Sequence, residues 1–417
     1  MEPQERLGLA RLTKMAFEGV DLRPLRNELI SECHHAQDAD GMFMDLSVID
    51  QLYGNQEMGL RWQAKALERQ RVFSTNRRGT DQPKVLVLAE PSHVGGNTPI
   101  EFLLQNSDFE VITYYPNLDG DVDLLPDHDV AFCAVPTDSH QADAFFSRVQ
   151  ILTDIARTRA VNLPRGRVNL DRDALAGIFS YVNGLRLPKT QRVERLDLVP
   201  AVCNEVELSL LRSVGTYPFI IRPVGSHAGA GLEKVETPDA LRRYLARQGA
   251  LEFFVSEYVD YASEDGNFRK HRIVFVNGRA FPCHMAISDQ WDLWYLNAHM
   301  DASAAKRAEE AAWMSGFDDS FVLRHKEALE ALTDGIGLDY FGIDCAEDRD
   351  GNLVVFEADN ALIVHDMDSA SVFPYKGRHM QRIFAAFEDM LVANSRKSGG
   401  MSMTQNAGAI AAWHGHH

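Results

Sequence analysis

The sequence predicts an α+β protein with a helical start, and three observations carry that prediction. Residues 5–80 place apolar side chains near the 3.6-residue period of helices. From Pro83, short apolar runs alternate with helical stretches, which indicates a parallel α/β sheet. After Pro188 the strands come in hairpins, which indicates antiparallel α+β structure.

In the first region, RLGLARLTKMAFEG, LRPLRNELISECHH and LRWQAKALERQRVF read as helices punctuated by Gly19, Gly41, Gly54 and Gly59. Paired helices of this size fit a small helical-repeat module. They equally fit an ordinary helical cap on the next domain, since a free-standing array needs at least about three repeats. The following section has a strand at Val85–Leu88, a Gly-containing loop, a helix from about Thr98, and a strand at Glu110–Tyr115. HDVAFCAVP supplies a third strand. The loop HVGGN lacks the G-x-G-x-x-G spacing, so it is a weak dinucleotide signal.

Farther on, FIIRPVGSHAGAGLEKV reads as strand, Gly-rich loop, strand. HRIVFVNGRAFPCHMAIS reads as a hairpin turned at Asn277-Gly278. A second hairpin turns at Asp350-Gly351-Asn352. The expected divisions are residues 1–80, 81–170, 171–394 and a flexible Gly-rich tail at 395–417. His414, His416 and His417 lie in that tail, where a disordered terminus is favoured over a metal site.

Bulk properties narrow the function. The 417 residues carry a formal net charge of −18, with 45% hydrophobic and 24% charged residues. At roughly 100–200 residues per domain, that is room for two to four domains. The acidic balance, without a basic stripe or a polybasic anchor, argues against nucleic acid and membrane partners. Five scattered cysteines without a CxxC pair argue against a zinc site or a disulfide framework. The opening residues MEPQERLGLARL are charged, and no stretch approaches ~18 uninterrupted apolar residues. A cytoplasmic location is the expectation.

Four constellations carry chemistry. Gly225, Gly229 and Gly231 lie between two strands, with Arg222 at the base of the loop. Such a loop folds over phosphates through its backbone N–H groups, though a plain hairpin loop rich in small residues reads the same way. Asp344, Glu357 and Asp359 end two consecutive strands, and the spacing of 357 and 359 puts both on one strand face. Oxygen donors without His or Cys suit Mg²⁺. In SEYVD, backbone groups at Glu257 and Val259 suit an adenine edge, and Glu264 suits ribose hydroxyls. Arg272, beside Lys270 and His271, suits phosphoryl charge or a carboxylate.

Taken in order, these pieces resemble the ATP-grasp superfamily from about Lys84 to Leu391. NLDRDALAGIFSYVNGLRLPKT is similar to the stretch in which a basic residue, here Arg172, opens a helix ahead of Pro-x-Thr. FIIRPVGSHAGAG resembles the phosphate loop, and SEYVD resembles the segment linking adenine to the hinge. GIDCAED and VFEADN resemble the metal strands, with Asp359 where the family has Asn and Asn360 one position later. Arg172 and Arg222 stand where most members have Lys.

The resemblance implies an ATP-grasp fold, in which a pre-ATP-grasp α/β domain (81–170) precedes lobes clasping ATP (171–394). The branch it resembles is that of glutathione synthetase and the ribosomal-protein-glutamate ligase. GNQEMGLRWQAKALERQRVF resembles tetratricopeptide-like modules fused to some members. The implied activity is ATP- and Mg²⁺-dependent joining of a small carboxylate to an amine or thiol through an acyl phosphate.

In that scheme Arg172, Arg222, Gly225, Ser226, Gly229 and Gly231 hold the phosphates, and Glu257, Tyr258, Val259 and Glu264 hold the nucleoside. Asp344, Glu357 and Asp359 hold the metal, with Arg222 and Arg272 as the catalytic cations. His284, Asn297 and His299 are acceptor-pocket candidates, against a packing role for Trp291, Trp294 and Tyr295. A kinase on the same nucleotide site and a degenerate nucleotide-binding protein without turnover are the alternatives. The helical region is read as docking a peptide or protein partner or as padding a homodimer.

Overall fold

The computed structural model describes residues 2–33, 35–36, 38–79, 81–119, 124–164, 170–179, 182–202, 214, 217–226 and 229–395. The expected tail beyond residue 395, with its three histidines, lies outside the described residues, as does Cys203. The chain forms two compact units. One comprises Met1–Gly166, Leu338–Phe341 and Asn360–His417. The other comprises Arg167–Gly337 and Gly342–Asp359.

The first unit is built on one six-stranded sheet. Its centre is β3 (Lys84–Leu88), flanked by β4 (Glu110–Tyr114) and β5 (Val130–Cys133), all parallel. These are nearly continuous apolar runs, as parallel strands covered on both faces require. β6 (Ala160–Val161) extends one edge in parallel. At the other edge β2 (Val72–Thr75) runs antiparallel to β4 and pairs in parallel with β1 (Gln4–Glu5). The order is therefore β1-β2-β4-β3-β5-β6.

Residues 1–80 form the expected helices, α1 (Leu9–Phe17), α2 (Arg23–Cys33), α3 (Asp40–Leu52) and α4 (Gln56–Leu67). They do not form a separate module. β1 and β2 bracket them and join the sheet, and Leu12, Leu46 and Ile49 share one buried cluster with Phe73, Ala89 and Tyr115. Two helix pairs leave an apolar side uncovered, and the sheet covers it.

The expected 171–394 domain is also corrected, because the chain from Asn360 onward belongs with the first unit. The helix Lys376–Ala393 buries Phe387 against Phe132, at 5.4 Å between ring centroids, and against Tyr340 at 5.2 Å.

In the second unit β8 (Thr190–Glu194), β9 (Phe219–Pro223), β10 (Glu233–Val235) and β11 (Glu252–Glu257) form an antiparallel sheet ordered β10-β9-β11-β8. Strand alternation divides its faces. Phe219, Ile221, Phe253 and Val255 are buried with Leu241 and Tyr244 of the helix Pro238–Arg247. Ile220, Arg222, Phe254 and Ser256 take the opposite face.

The other sheet has five strands and contains both expected hairpins. β12 (Phe268–Val276) and β13 (Arg279–Ser288) turn at Asn277-Gly278, whose φ values are 48° and 79°. β14 (Tyr340–Glu347) and β15 (Leu353–Asp359) turn around Gly351, and β7 (Leu185–Arg186) pairs in parallel with β15. None of the four described cysteines forms a disulfide. Among the described residues no helix is long and apolar enough to cross a membrane.

The first unit also hides an acid. Asp45 on α3 accepts the amide N–H groups of Leu7 at 2.8 Å and Gly8 at 3.0 Å, where α1 begins. Burial pushes its carboxyl up to about 6, against the opposing pull of those two N–H donors. A carboxyl whose folded value is raised is protonated in both states below the unfolded value of 3.8, and there it has no effect. As pH rises through about 6, the folded state loses stability relative to the unfolded chain. Over roughly two units this amounts to about 3 kcal/mol. Urea unfolding of Asp45→Asn across pH 4–7 is expected to lack this loss, so the difference between wild type and variant will change with pH in that window.

Candidate nucleotide site

The second unit contains a cavity of about 140 Å³ between the Ile220–Arg222–Ser256 face of the β8–β11 sheet and strands β12 and β15. One end is apolar, lined by Leu187, Ile220, Leu232, Val259, Trp291 and Leu293. The other end is charged, with Arg172, Arg222, Lys270 and Glu357.

The charged end follows from strand register. Asp344 on β14 lies directly opposite Glu357 on β15. Facing residues on antiparallel strands share a side, with Cβ atoms about 4.5–5.5 Å apart. Lys270 and Arg272, two apart on β12, also share a side. Arg272 Nε donates to Asp344 Oδ1 at 2.8 Å and its Nη2 donates to Oδ2 at 3.2 Å, while Lys270 Nζ stands 3.0 Å from Oδ2. Arg172 opens the helix Arg172–Ile178, and its Nη2 is 2.6 Å from Glu357 Oε1, an ion pair outside hydrogen-bond alignment.

Burial alone would raise both carboxyls. The charges of Arg272 and Lys270 instead hold Asp344 well below the carboxylate range, and Arg172 lowers Glu357. Burial likewise opposes the charge on Arg272, and Asp344 more than offsets it. Among the described residues no carboxylate stands within ion-pair distance of Arg222. Burial and the nearby Arg172 push its guanidinium down to about 10, so it stays cationic at neutral pH.

The glycine loop follows Arg222. Gly225, Gly229 and Gly231 have φ values of 72°, 74° and 67°, a region side chains rarely adopt. A Cβ at Gly231 would lie 2.7 Å from the Pro223 ring, and one at Gly229 would lie 3.0 Å from the Trp294 ring. Tyr244 donates its hydroxyl to the Gly231 carbonyl at 2.7 Å. Arg222 donates to the hydroxyl and carbonyl of Ser226, and the Ser226 hydroxyl donates to the Pro223 carbonyl at 2.7 Å. A buried guanidinium needs acceptors, and here the loop supplies them.

Glu257, Tyr258 and Val259 line the cavity wall. The Glu257 amide is spent on the Lys189 carbonyl at 2.8 Å, and its carboxylate accepts from Arg186 at 2.7 Å. Of the backbone groups expected at an adenine edge, the Glu257 N–H is thus taken within the sheet. Glu264 is a further correction. It sits on the exposed Ser263–Asn267 turn, away from the cavity, and the rim carries Asp292 instead.

The expected three-carboxylate metal cluster is corrected as well. Among the described residues no three His, Cys, Asp or Glu side chains gather to hold an ion. Asp359 pairs with Gly342, two residues or about 6–7 Å farther along the strand than Glu357. Asn360 does not replace it, because its amide donates to the Val135 carbonyl at 3.0 Å and accepts from the Thr137 N–H at 3.3 Å. The pair Asp344 and Glu357 still fits Mg²⁺, which needs only one or two protein carboxylates beside substrate phosphates.

Of the acceptor candidates, His284 shares the Arg272 side of the sheet as its register partner, 4.5 Å from the Tyr295 ring. Asn297 braces a turn by accepting from Trp294 N–H and donating to the Asp292 carbonyl. His299 is exposed at φ 49°. Lys270, Arg186 and Asp292 were not assigned roles from the sequence. The spacing of Lys270 and Arg272 was the signal available for the first.

No family model and no curated protein matches the chain. It is similar to solved structures of an ATP-grasp RimK domain protein from Sphaerobacter thermophilus and the VanG D-Ala:D-Ser ligase from Enterococcus faecalis. The first shares 16% identity, covers 74% of this chain and 99% of its own, and has a TM-score of 0.42. The second shares 14%, covers 75% and 100%, and scores 0.44. A D-alanine–D-alanine ligase from Bacillus anthracis complexed with ATP shares 13%, covers 75% and 96%, and scores 0.42. These are distant likenesses, and the reading of the site rests on its own geometry.

That geometry makes Asp344 the keystone of the charged end. Asp344→Asn leaves Arg272 and Lys270 without their counter-charge. It is expected to destabilise the protein by about 3–5 kcal/mol in urea unfolding at pH 7.

Proposed function

We propose that the protein is an ATP- and Mg²⁺-dependent ligase that joins a small carboxylate to an amine or thiol through an acyl phosphate. The observation that carries this reading is the facing pair Asp344 and Glu357, set among Arg172, Arg222, Lys270 and Arg272 at the end of an apolar slot. An apolar slot ending in cations suits a base at one end and a phosphate chain at the other. Val259, Trp291 and Leu293 offer the base its apolar surface. Arg172 and Arg222 meet the phosphates, and the glycine loop closes over them with its N–H groups.

Asp344 and Glu357 would hold the Mg²⁺, which when bound neutralises phosphate oxygens as a Lewis acid. Arg272 and Lys270 then face the transferred phosphoryl group, where fixed cations stabilise developing charge. The substrate carboxylate displaces ADP from the terminal phosphorus, forming the acyl phosphate. The amine attacks the acyl carbon, phosphate leaves with the C–O electrons, and the proton lost from nitrogen passes to the departing phosphate. The protein's part is positioning and charge neutralisation. Water exclusion by the loop protects the acyl phosphate.

The test incubates the protein with ATP, Mg²⁺ and a mixture of carboxylates and amino acids, with phosphate release and product mass as readouts. Ligation yields ADP, free phosphate and an amide in equal amounts. A stable phosphorylated product would replace this reading with a kinase, and absence of turnover with every acceptor would leave a nucleotide-binding protein. Arg272→Met is expected to lower turnover about 10²–10³-fold, with nucleotide affinity and circular dichroism as checks on folding.

A further inference from the structure

We infer that His284 is the base that takes a proton from the acceptor's ammonium group, so that a free amine meets the acyl phosphate. This deepens the ligase reading and rests on it. β13 is an edge strand beside β12, and His284 on it is the register partner of Arg272. Facing residues of antiparallel strands share a side, with Cβ atoms about 4.5–5.5 Å apart. The imidazole therefore stands next to the guanidinium that, in the ligase reading, faces the transferred phosphoryl group. The ladder slips by one residue at this point, since Arg272 pairs with His284 while Ile273 pairs with Pro282. Bulges of this kind re-aim side chains and are common beside active sites.

Burial singles out the same residue. From Ala280 to Ser288 every residue is buried except His284, which is half-buried. An otherwise withdrawn stretch of strand thus presents one titratable ring to solvent. Its neighbours hold that ring. Tyr295, which begins the short turn Tyr295–Ala298, packs against it at 4.5 Å between centroids. The Tyr295 hydroxyl reaches Glu310 at 3.5 Å, and the buried Glu310 also accepts the Met285 N–H at 2.9 Å. His284 Nδ1 lies 4.0 Å from Cys283 Sγ, which assigns the proton transfer to Nε2.

The other groups on this side of the sheet are poor bases. Asp344 and Glu357 are engaged by Arg272, Lys270 and Arg172, whose charges hold both carboxyls low. Arginine keeps its proton. An imidazole ordinarily titrates at about 6.5, which suits a base at neutral pH. Two charges act on His284. Arg272 across the ladder opposes a proton on the ring, and Asp344 on β14 favours it. The step balances simply. The ammonium gives one proton to Nε2 and becomes a neutral amine with a lone pair. That amine attacks the acyl carbon, its second proton leaves with the phosphate, and the imidazolium returns its proton to water.

The test compares two nucleophiles in the full chain supplied with ATP, Mg²⁺ and the same mixture of carboxylates and amino acids at neutral pH. Amino acids present an ammonium group that needs a base. Hydroxylamine is uncharged under these conditions and traps the acyl phosphate as a hydroxamate without one. His284→Gln is expected to form hydroxamate as wild type does, while amide formation falls about 10²-fold or more. Raising the pH to about 9 is expected to recover at least about tenfold of the amide rate in the variant, because the amine then loses its proton in solution. If His284→Gln fails to fold, His284→Asn decides on the same partition. Equal loss of hydroxamate and amide, which a merely structural role predicts, would overturn the inference. Unchanged amide formation would overturn it as well, with the ligase reading intact. Wild type that forms neither product would remove the ligase reading, and this inference with it.

Discussion

A charge removed from water must find a partner, and the second unit is arranged around that constraint. Asp344 is held by Arg272 and Lys270, and Glu357 by Arg172. Effective desolvation costs are several kcal/mol per ion, so such a cluster persists only where the backbone delivers all members at once. The register of β14 against β15 and the two-residue step along β12 make that delivery. The same arrangement leaves cations in excess of the two acids, in a chain whose formal charge is −18. Such a local excess of cations is a property that bulk charge does not reveal.

The glycine loop depends on a second constraint, close approach. Gly229 and Gly231 stand where a β-carbon would strike Trp294 or Pro223. Tyr244 ties the loop to the helix behind the sheet, and Arg222 draws its base inward. The two ends of the loop are thereby held in place.

Buried polarity shapes the first unit too. Asp45 joins α3 to the start of α1, and Arg6 with Glu101 joins β1 to the segment after β3. These links explain why the N-terminal helices are part of the sheet's core and not a separate array. Their apolar faces alone would have allowed either arrangement.

Much of the fold and part of the site were legible in the sequence. The apolar runs of β3, β4 and β5 and the Asn277-Gly278 and Gly351 turns are local signals, governed by backbone sterics and hydrophobic period. The spacing of Lys270 from Arg272 carried the same information through strand alternation. Glu257 to Val259 reached the cavity for that reason, since they end an apolar strand. Glu264, Asn360 and the boundary at residue 80 could not be judged this way. An exposed turn, an amide turned toward Val135 and Thr137, and two short edge strands depend on partners distant in sequence. The residues themselves determined the strands, the turns and the acids that end them. Only tertiary structure decided which acids face which cations, because that choice rests on inter-strand register and burial, which no local stretch of chain encodes.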